Sequence, residues 1–263
     1  MIEVLITLCG RGGSRGLKNK NIRPLCGIPL IAWTLFDAEK VFENTKNVHK
    51  TIAVDSDSDL ILETAQHFSP NIRLHKRRED LAGDRVAKMA VIGEVFRDIS
   101  AEMEKRFDLV IDLDITSPLR TSEDIENAAA LFFSEKKEVI FSVVPSRRNP
   151  YFNMVERNSS GKFVLSKGSD FVARQQAPEV FDMNASLYIY KPDVFSSGVL
   201  SPVSLDFGIY EMRDYGVIDI DDEADLKLME LILRYGDPLL SEGLRKKKAA
   251  LISRRWNDRG EKG

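Results

Sequence analysis

A glycine-rich loop surrounded by cations is the first stretch of the chain whose residue types could do chemistry. Its four glycines stand at positions 10, 12, 13 and 16, directly after the apolar run 4–8. Glycine lets a backbone turn sharply and expose its N–H groups to a ligand. The cations in or beside the loop are Arg11, Arg15, Lys18 and Lys20. Backbone donors and cations after a strand predict a polyphosphate site; a solvated basic turn is the alternative.

Two common phosphate motifs are excluded by the spacing of this loop. A dinucleotide fingerprint that begins at Gly10 requires glycine at position 15, where the chain has Arg15. A Walker loop requires the triplet Gly-Lys-Ser/Thr, which does not occur here.

Two carboxylates far along the chain, Asp219 and Asp221, form a second candidate site. The run 217–220 predicts a strand, in which Ile218 and Ile220 point to the core and both acids face the other way. Mg²⁺ accepts one or two carboxylates together with phosphate oxygens, so the pair predicts a magnesium site. The alternative is the acidic start of a helix, because acids favour a helix N-terminus.

Another acidic pair, Asp112 and Asp114, flanks Leu113 ahead of the turn 116–120. This pattern predicts a strand end that faces a substrate. The alternative is a capped turn in which Arg120 pairs with an acid.

The histidines and cysteines indicate no further chemistry. His49, His67 and His75 share no metal-ligand spacing, and we expect all three at the surface. Neither Cys9 nor Cys26 lies in a nucleophile motif, so no covalent intermediate is expected.

Strand and helix patterns alternate along most of the chain. Strands are predicted at 3–8, 50–54, 72–75, 109–113, 139–144, 186–190 and 217–220. Helices are predicted at 29–42, 58–68, 85–105, 122–134 and 222–235. This alternation predicts an α/β fold with a mostly parallel sheet and ligands at the carboxyl ends of its strands. The glycine loop and the polar clusters 55–57, 114–120 and 219–222 all lie there.

Residues 146–183 interrupt the alternation. The segments 153–156 and 161–165 predict a hairpin around Asn158, and 173–178 predicts a polar loop. We interpret 146–183 as an excursion from the sheet that serves as a lid, a dimer arm or both.

The composition is that of a globular enzyme. The chain has 263 residues, of which 43% are hydrophobic and 30% charged. No apolar stretch approaches the roughly 18 residues that span a bilayer. The first residues lack the features of a signal peptide. We therefore expect a cytoplasmic protein without membrane contact.

Charge is unevenly distributed along the chain. Residues 243–263 carry eight Lys or Arg and two acids, a charge of +6 that leaves −9 for the rest of the −3 total. An acidic body argues against nucleic-acid binding. The prediction is a single domain over 1–242 followed by a solvated or frayed basic tail over 243–263.

Six separated motifs together resemble the acylneuraminate cytidylyltransferases. They are Arg11-Gly12-Gly13-Ser14 with Lys20-Asn21, Arg77 with Leu81-Ala82-Gly83-Asp84, Thr116-Ser117-Pro118-Leu119-Arg120, Arg148-Asn149-Pro150-Tyr151-Phe152-Asn153, Met183-Asn184-Ala185-Ser186, and Asp219-Ile220-Asp221. The resemblance covers roughly residues 3–235. Within the family, the chain is similar to the bacterial branch that activates legionaminic-type acids.

The resemblance implies a three-layer Rossmann-like nucleotidyltransferase fold, with helices on both faces of the sheet. It implies transfer of CMP from CTP to the anomeric hydroxyl of a nine-carbon 2-keto sugar acid, with release of pyrophosphate, by a homodimer. The implied CTP-binding residues are Arg11, Gly12, Gly13, Ser14, Lys20, Asn21, Arg77 and Asp84. Asp219 and Asp221 would hold Mg²⁺ and, with Arg11 and Lys20, form the catalytic set. The implied sugar-side residues are Asp114, Thr116, Ser117, Arg148, Arg174, Gln175 and Asn184.

Two departures bear on the sugar. Asp114-Ile115 stand where many sialic acid enzymes carry Gln-Pro, and 147–150 stand where they place a histidine-rich turn. Both changes favour a 5,7-diacylamino nonulosonic acid over N-acetylneuraminate. The alternatives are a cytidylyltransferase for another 2-keto sugar acid, such as 3-deoxy-manno-octulosonate, and a non-catalytic nucleotide- or sugar-binding module of the same fold.

Overall fold

A seven-stranded sheet forms the centre of the computed structural model, which describes residues 1–13, 16–168, 170–213, 218–236 and 240–253. The strands within these ranges are β1 (Ile2–Cys9), β2 (Pro24–Leu25), β3 (Ile28–Pro29), β4 (Val48–Ser56), β5 (Arg73–Lys76), β6 (Leu109–Leu113), β7 (Val139–Pro145), β8 (Val155–Arg157), β9 (Phe163–Leu165), β10 (Phe181–Tyr190) and β11 (Phe207–Glu211). The sheet has the order β11-β7-β10-β6-β1-β4-β5, and β10 runs antiparallel to both of its neighbours. The other pairings are parallel, as the sequence predicts.

Six α-helices in the described residues cover the sheet. They are α1 (Leu30–Lys40), α2 (Asp59–Phe68), α3 (Lys88–Glu102), α4 (Ser122–Glu135), α5 (Glu223–Tyr235) and α6 (Glu242–Ser253). Side chains of β1 alternate between two cores: Ile6 and Leu8 pack with α1, α2 and α4–α6, whereas Leu5 packs with α3 and a short 3-10 helix at Pro192–Ser196. The predicted three-layer α/β fold is therefore confirmed, with an unequal division of helices between the faces. No helix in the described ranges is long and apolar enough to cross a membrane.

One predicted strand is absent and one strand of the main sheet was not predicted. Residues 218–220 form no strand, whereas β11 pairs parallel with β7 at the edge of the sheet. Ile220 is nonetheless fully buried, and its N–H donates to the carbonyl oxygen of Thr116. The pattern of β11 is interrupted by Gly208, where a Cβ would collide with Ile140. Residue 217 lies outside the described residues.

The prediction for the C-terminal basic segment is also corrected by the structure. The sequence predicts a solvated tail from Gly243, but α6 packs against the core through Leu244, Lys247 and Leu251, which are all buried. The helix escaped prediction because its apolar positions are separated by consecutive cations. Residues 254–263 lie outside the described residues.

The excursion contains the predicted hairpin. Strands β8 and β9 pair antiparallel as a two-stranded sheet of their own. The end of the excursion then joins the main sheet, because β10 begins at Phe181. A register shift between Met183 and Tyr188 contains Ala185 at a φ of 52°, a left-handed conformation that is costly for a residue with a side chain.

Candidate active site

A cavity of about 440 Å³ opens at the carboxyl ends of the parallel strands. The side chains around it come from segments far apart in sequence. Predicted site residues that line it are Arg11, Lys20, Asn21, Arg77, Asp84, Asp114, Thr116 and Asp221. The strand order explains the convergence, because β1, β4 and β6 are neighbours and end at the same edge of the sheet.

The glycine loop is tied to the elements around the cavity. The N–H of Gly12 donates to Asp57 Oδ1 at 2.7 Å, and Asn21 Nδ2 donates to the carbonyl oxygen of Arg11 at 3.0 Å. Arg11 forms an ion pair with Asp84 on the opposite wall. A Cβ at position 16 would collide with the carbonyl oxygen of Asp221, so glycine there permits the loop to approach the acidic segment. Gly13 lies at the loop tip, and Ser14 and Arg15 lie outside the described residues.

The predicted magnesium ligands lie beside the predicted phosphate cation. Lys20 Nζ is 2.9 Å from Asp221 Oδ1. Asp219 is half-buried, and burial followed by the negative charge of Asp221 raises its pKa. The alternative interpretation was that these acids mark the start of a helix. The acids that do so are the next ones along the chain, because Asp222 caps α5 in a capping box with Asp225.

The acids at this place fit a magnesium ion that takes only one or two of its ligands from the protein. Among the residues that the structure describes, no three His, Cys, Asp or Glu side chains form a metal-binding group. A pair such as Asp219 and Asp221 suits Mg²⁺ that takes one or two carboxylates and completes its shell with water and substrate phosphates.

Arg77 is held in place by a buried charge network. Its Nε donates to Asp55 Oδ2 at 2.7 Å, and Asp55 Oδ1 lies 2.9 Å from His75 Nδ1. His75 Nε2 lies 3.0 Å from Asp98 Oδ2 on α3. Hydrogen bonding to Asp55, together with Asp98, raises the pKa of His75 to about 9. The prediction that every histidine lies at the surface is therefore wrong for His75, which is buried because its register partner in β4 is Asp55.

Lys88 is a site residue that the sequence interpretation missed. Its ammonium lies 2.8 Å from Asp112 Oδ2 and 2.8 Å from Asp114 Oδ2, and it lines the cavity. Burial alone would lower the pKa of Lys88, but the two carboxylates raise it well above its usual range. One signal was available: Lys88 is the first residue of α3, where the helix dipole disfavours a cation.

Asp114 accepts three hydrogen bonds from within the protein. Its Oδ1 accepts from the N–H and hydroxyl of Thr116 at 2.9 and 2.7 Å, and its Oδ2 accepts from Lys88. Burial would raise the pKa of Asp114, yet Lys88 and Thr116 hold it well below the usual range. Asp114 lines the cavity, as expected of a strand end that faces a substrate. Arg120 Nη donates to the backbone carbonyl oxygen of Asp114, while the acid that Arg120 pairs with is Asp37 and the residue that caps α4 is Thr121.

The other predicted sugar-side residues fall in separate places. Arg174 and Gln175 line a second cavity of about 540 Å³ between the excursion and the end of β7. Arg148 is exposed in the turn that leads into the excursion. Ser117 and Asn184 are buried, and Asn184 Oδ1 accepts from the hydroxyl of Ser142 at 2.6 Å.

A doubly covered, mostly parallel sheet with a glycine loop and cations at its carboxyl edge is typical of a nucleotide-binding enzyme. The family model described as Cytidylyltransferase matches residues 6–235, and the chain belongs to this family.

Two curated relatives match nearly their whole length. The CMP-N,N'-diacetyllegionaminic acid synthase of Campylobacter jejuni is 39% identical over 233 residues, which are 89% of this chain and 96% of the relative. The post-translational flagellin modification protein B of Campylobacter coli is 37% identical over 234 residues, with the same coverage.

A solved structure shares the fold. The CMP:2-keto-3-deoxy-manno-octonic acid synthetase complexed with CTP superposes with a TM-score of 0.60 at 15% identity. The superposition covers 88% of this chain and 98% of that one.

Proposed function

We propose that this protein transfers CMP from CTP to the anomeric hydroxyl of a legionaminic-type nonulosonic acid and releases pyrophosphate. The observation that carries the proposal is the meeting of Arg11, Lys20 and Asp221 around one cavity, although more than 200 residues separate the loop from the acid. Family membership supports the nucleotide, and the name of the 39% identical relative supports the sugar class.

The reaction is an in-line displacement at the α-phosphorus. The anomeric oxygen forms a bond to that phosphorus, the bond to the bridging oxygen of pyrophosphate breaks, and the hydroxyl proton is lost to solvent. Arg11, the loop N–H groups and Lys20 hold and neutralise the triphosphate, which is the principal need of such a transfer. Mg²⁺ held by Asp219 and Asp221 would add charge stabilisation at the phosphates.

A pyrophosphate-release assay tests this function. Purified protein is incubated with CTP, Mg²⁺ and, in turn, a 5,7-diacylamino nonulosonic acid, N-acetylneuraminate or 3-deoxy-manno-octulosonate. We expect pyrophosphate with the diacylamino acid above all. Preference for 3-deoxy-manno-octulosonate would favour the other cytidylyltransferase, and CTP binding without pyrophosphate from any acid would favour a binding module.

A lysine pair in the same loop provides the matched control for the assay. Lys20→Met removes the cation beside Asp221 and should lower turnover at least about a hundredfold. Lys18→Met removes an exposed cation two residues away and should leave turnover within about twofold.

Replacement of Asp221 by Asn tests the metal assignment. The substitution removes a charge at nearly constant volume, so we expect a folded protein with at least about a hundredfold less Mg²⁺-dependent turnover. The matched control is Glu223→Gln. It neutralises an exposed acid that lies two residues after Asp221 and pairs with Arg23. Wild-type activity and an unchanged Mg²⁺ dependence in the Asp221 variant would show that the metal lies elsewhere.

A further inference from the structure

Helix α6 inserts a lysine beneath the segment that leads from β6 to α4. Lys247 is 2% exposed, whereas Arg245 and Lys246 on the same helix are exposed. The ammonium of Lys247 donates to Asp37 Oδ2 at 2.6 Å, to the carbonyl oxygen of Pro118 at 2.8 Å and to that of Arg120 at 2.8 Å. These contacts use all three N–H donors of the ammonium group.

The two carbonyl groups belong to residues 114–121, which we name the strand-end loop. Asp114 and Thr116, at the start of this loop, line the cavity at the carboxyl ends of the strands. The guanidinium of Arg120, at its far end, donates back to the carbonyl oxygens of Asp114 and Ser186. Lys247 thus holds the end of a loop whose beginning forms part of the site.

Burial of this charged cluster costs more free energy than burial of apolar side chains of similar volume would. Two cations, Lys247 and Arg120, are buried with one acid, Asp37, which is 1% exposed. Burial lowers the pKa of Lys247 to about 8, although Asp37 opposes that shift. Replacing a buried ion cluster by apolar side chains of similar volume is often neutral or stabilising. A purely structural contact between α6 and α1 would therefore not need an ammonium group.

The ammonium also keeps the second cation in place. Arg120 Nε lies 3.8 Å from Asp37 Oδ2 and has no hydrogen-bond acceptor among the residues that the structure describes. Without Lys247, Asp37 would attract the Arg120 guanidinium away from the carbonyl oxygens that it now binds. Lys247 therefore stabilises the strand-end loop both by its own hydrogen bonds and by neutralising Asp37.

We propose that Lys247 is a positioning residue for the sugar-acid half of the active site, acting through the strand-end loop. The inference rests on the proposed function for its substrate, but the contacts themselves do not depend on it. Helix α6 lies beyond residue 235, where the match to the family model ends.

The test compares Lys247→Met with Lys246→Met, an exposed lysine on the same helix. We expect the KM for the sugar acid to rise about tenfold in the Lys247 variant, with the KM for CTP within about twofold of wild type. The Lys246 variant should match wild type in both constants. Lys247→Gln keeps two N–H donors without the charge, and we expect an intermediate sugar-acid KM from it; it also serves if the Met variant fails to fold.

Amide hydrogen exchange on the ligand-free protein gives a readout that is independent of turnover. We expect faster exchange in residues 114–121 of the Lys247 variants than in wild type or the Lys246 variant. Unchanged exchange there, or equal changes in both KM values, would overturn the proposal. If wild type turns over no sugar acid, the proposed function fails, while the exchange experiment still tests the role of Lys247.

Discussion

Lys88 neutralises the two acids at the end of β6, Asp112 and Asp114. The side chain of Asp112 is fully buried and that of Asp114 is 24% exposed, and two carboxylates in one site cannot both remain ionised without a counter-charge. The ammonium group lies 2.8 Å from an oxygen of each. Lys88, whose side chain is 36% exposed, therefore neutralises both acids while it lines the cavity.

Lys88→Met should therefore cost stability as well as activity. We expect a loss of roughly 2 kcal/mol in the free energy of unfolding at pH 7, because Asp112 and Asp114 are left without their cation. Urea denaturation at pH 7 and pH 5 measures it, and the loss should be smaller at the lower pH, because burial raises the pKa of Asp114 once Lys88 no longer opposes it.

The control for this experiment is Lys76→Met. Lys76 pairs with Asp59 at the surface, with both side chains more than half exposed. Such pairs contribute about 0–1 kcal/mol. Equal losses in the Lys76 and Lys88 variants would contradict the role assigned to Lys88.

At the scale of elements, one buried histidine connects β4, β5 and α3. His75 on β5 bonds Asp55 on β4 and Asp98 on α3, and Asp55 in turn holds Arg77 at the cavity wall. The pKa of His75 is raised from 6.5 to about 9, so the folded state binds a proton that the unfolded chain has already lost between these values.

The stability of the protein should reflect this proton. The contribution of His75 is fully present below about pH 6.5 and is lost as the pH rises through about 9. At 1.36 kcal/mol per pKa unit it is worth about 3 kcal/mol at most. We expect the free energy of unfolding of wild type to fall over this window and that of His75→Gln to be flatter.

Denaturant titrations at several pH values between 6 and 9.5 measure the difference. The control is His49→Gln, which alters a half-exposed histidine on β4 and should leave the wild-type slope in place. A His75 variant that keeps the full wild-type pH dependence would contradict the assignment.

At the scale of the whole molecule, the excursion carries the most concentrated exposed apolar surface. Between residues 152 and 183, nine large hydrophobic side chains are exposed: Phe152, Met154, Val155, Phe163, Val164, Phe171, Val172, Phe181 and Met183. Exposed apolar side chains concentrated in one segment in this way favour an interaction site. The cavity lined by Arg174 and Gln175 lies at the base of the same segment.

The homodimer stays a prediction, and this surface says where to test it. We expect light scattering at micromolar concentration to give the mass of a dimer for wild type. Phe163→Glu on β9 should shift the protein toward monomer, because it introduces a charge into the apolar patch. Leu60→Glu, at an exposed apolar site on α2, is the control and should remain dimeric. A monomeric wild type would exclude the dimer arm.

The sequence by itself determined the layered fold and the meeting of separated polar motifs at one cavity. Buried strands and amphipathic helices leave periodic patterns, so five helices and six strands of the main sheet were predictable within a few residues. Arg11 and Lys20 could be placed at the cavity because they follow β1, and parallel strands bring their carboxyl ends to one edge. Asp221 also lies there, although residues 218–220 before it do not form the predicted strand.

The tertiary structure alone decided the roles of the charged groups. Lys88, His75 and Lys247 resemble surface residues in the sequence. His75 and Lys247 are buried and Lys88 is half-buried, and each lies against acids that stand elsewhere in the chain. Such partners leave no periodic signal, since a charge can be buried only where the folded chain supplies its counter-charge. Helix α6 was missed for the same reason: its buried Lys247 pairs with Asp37, which is distant in sequence, so the segment resembles a solvated basic tail.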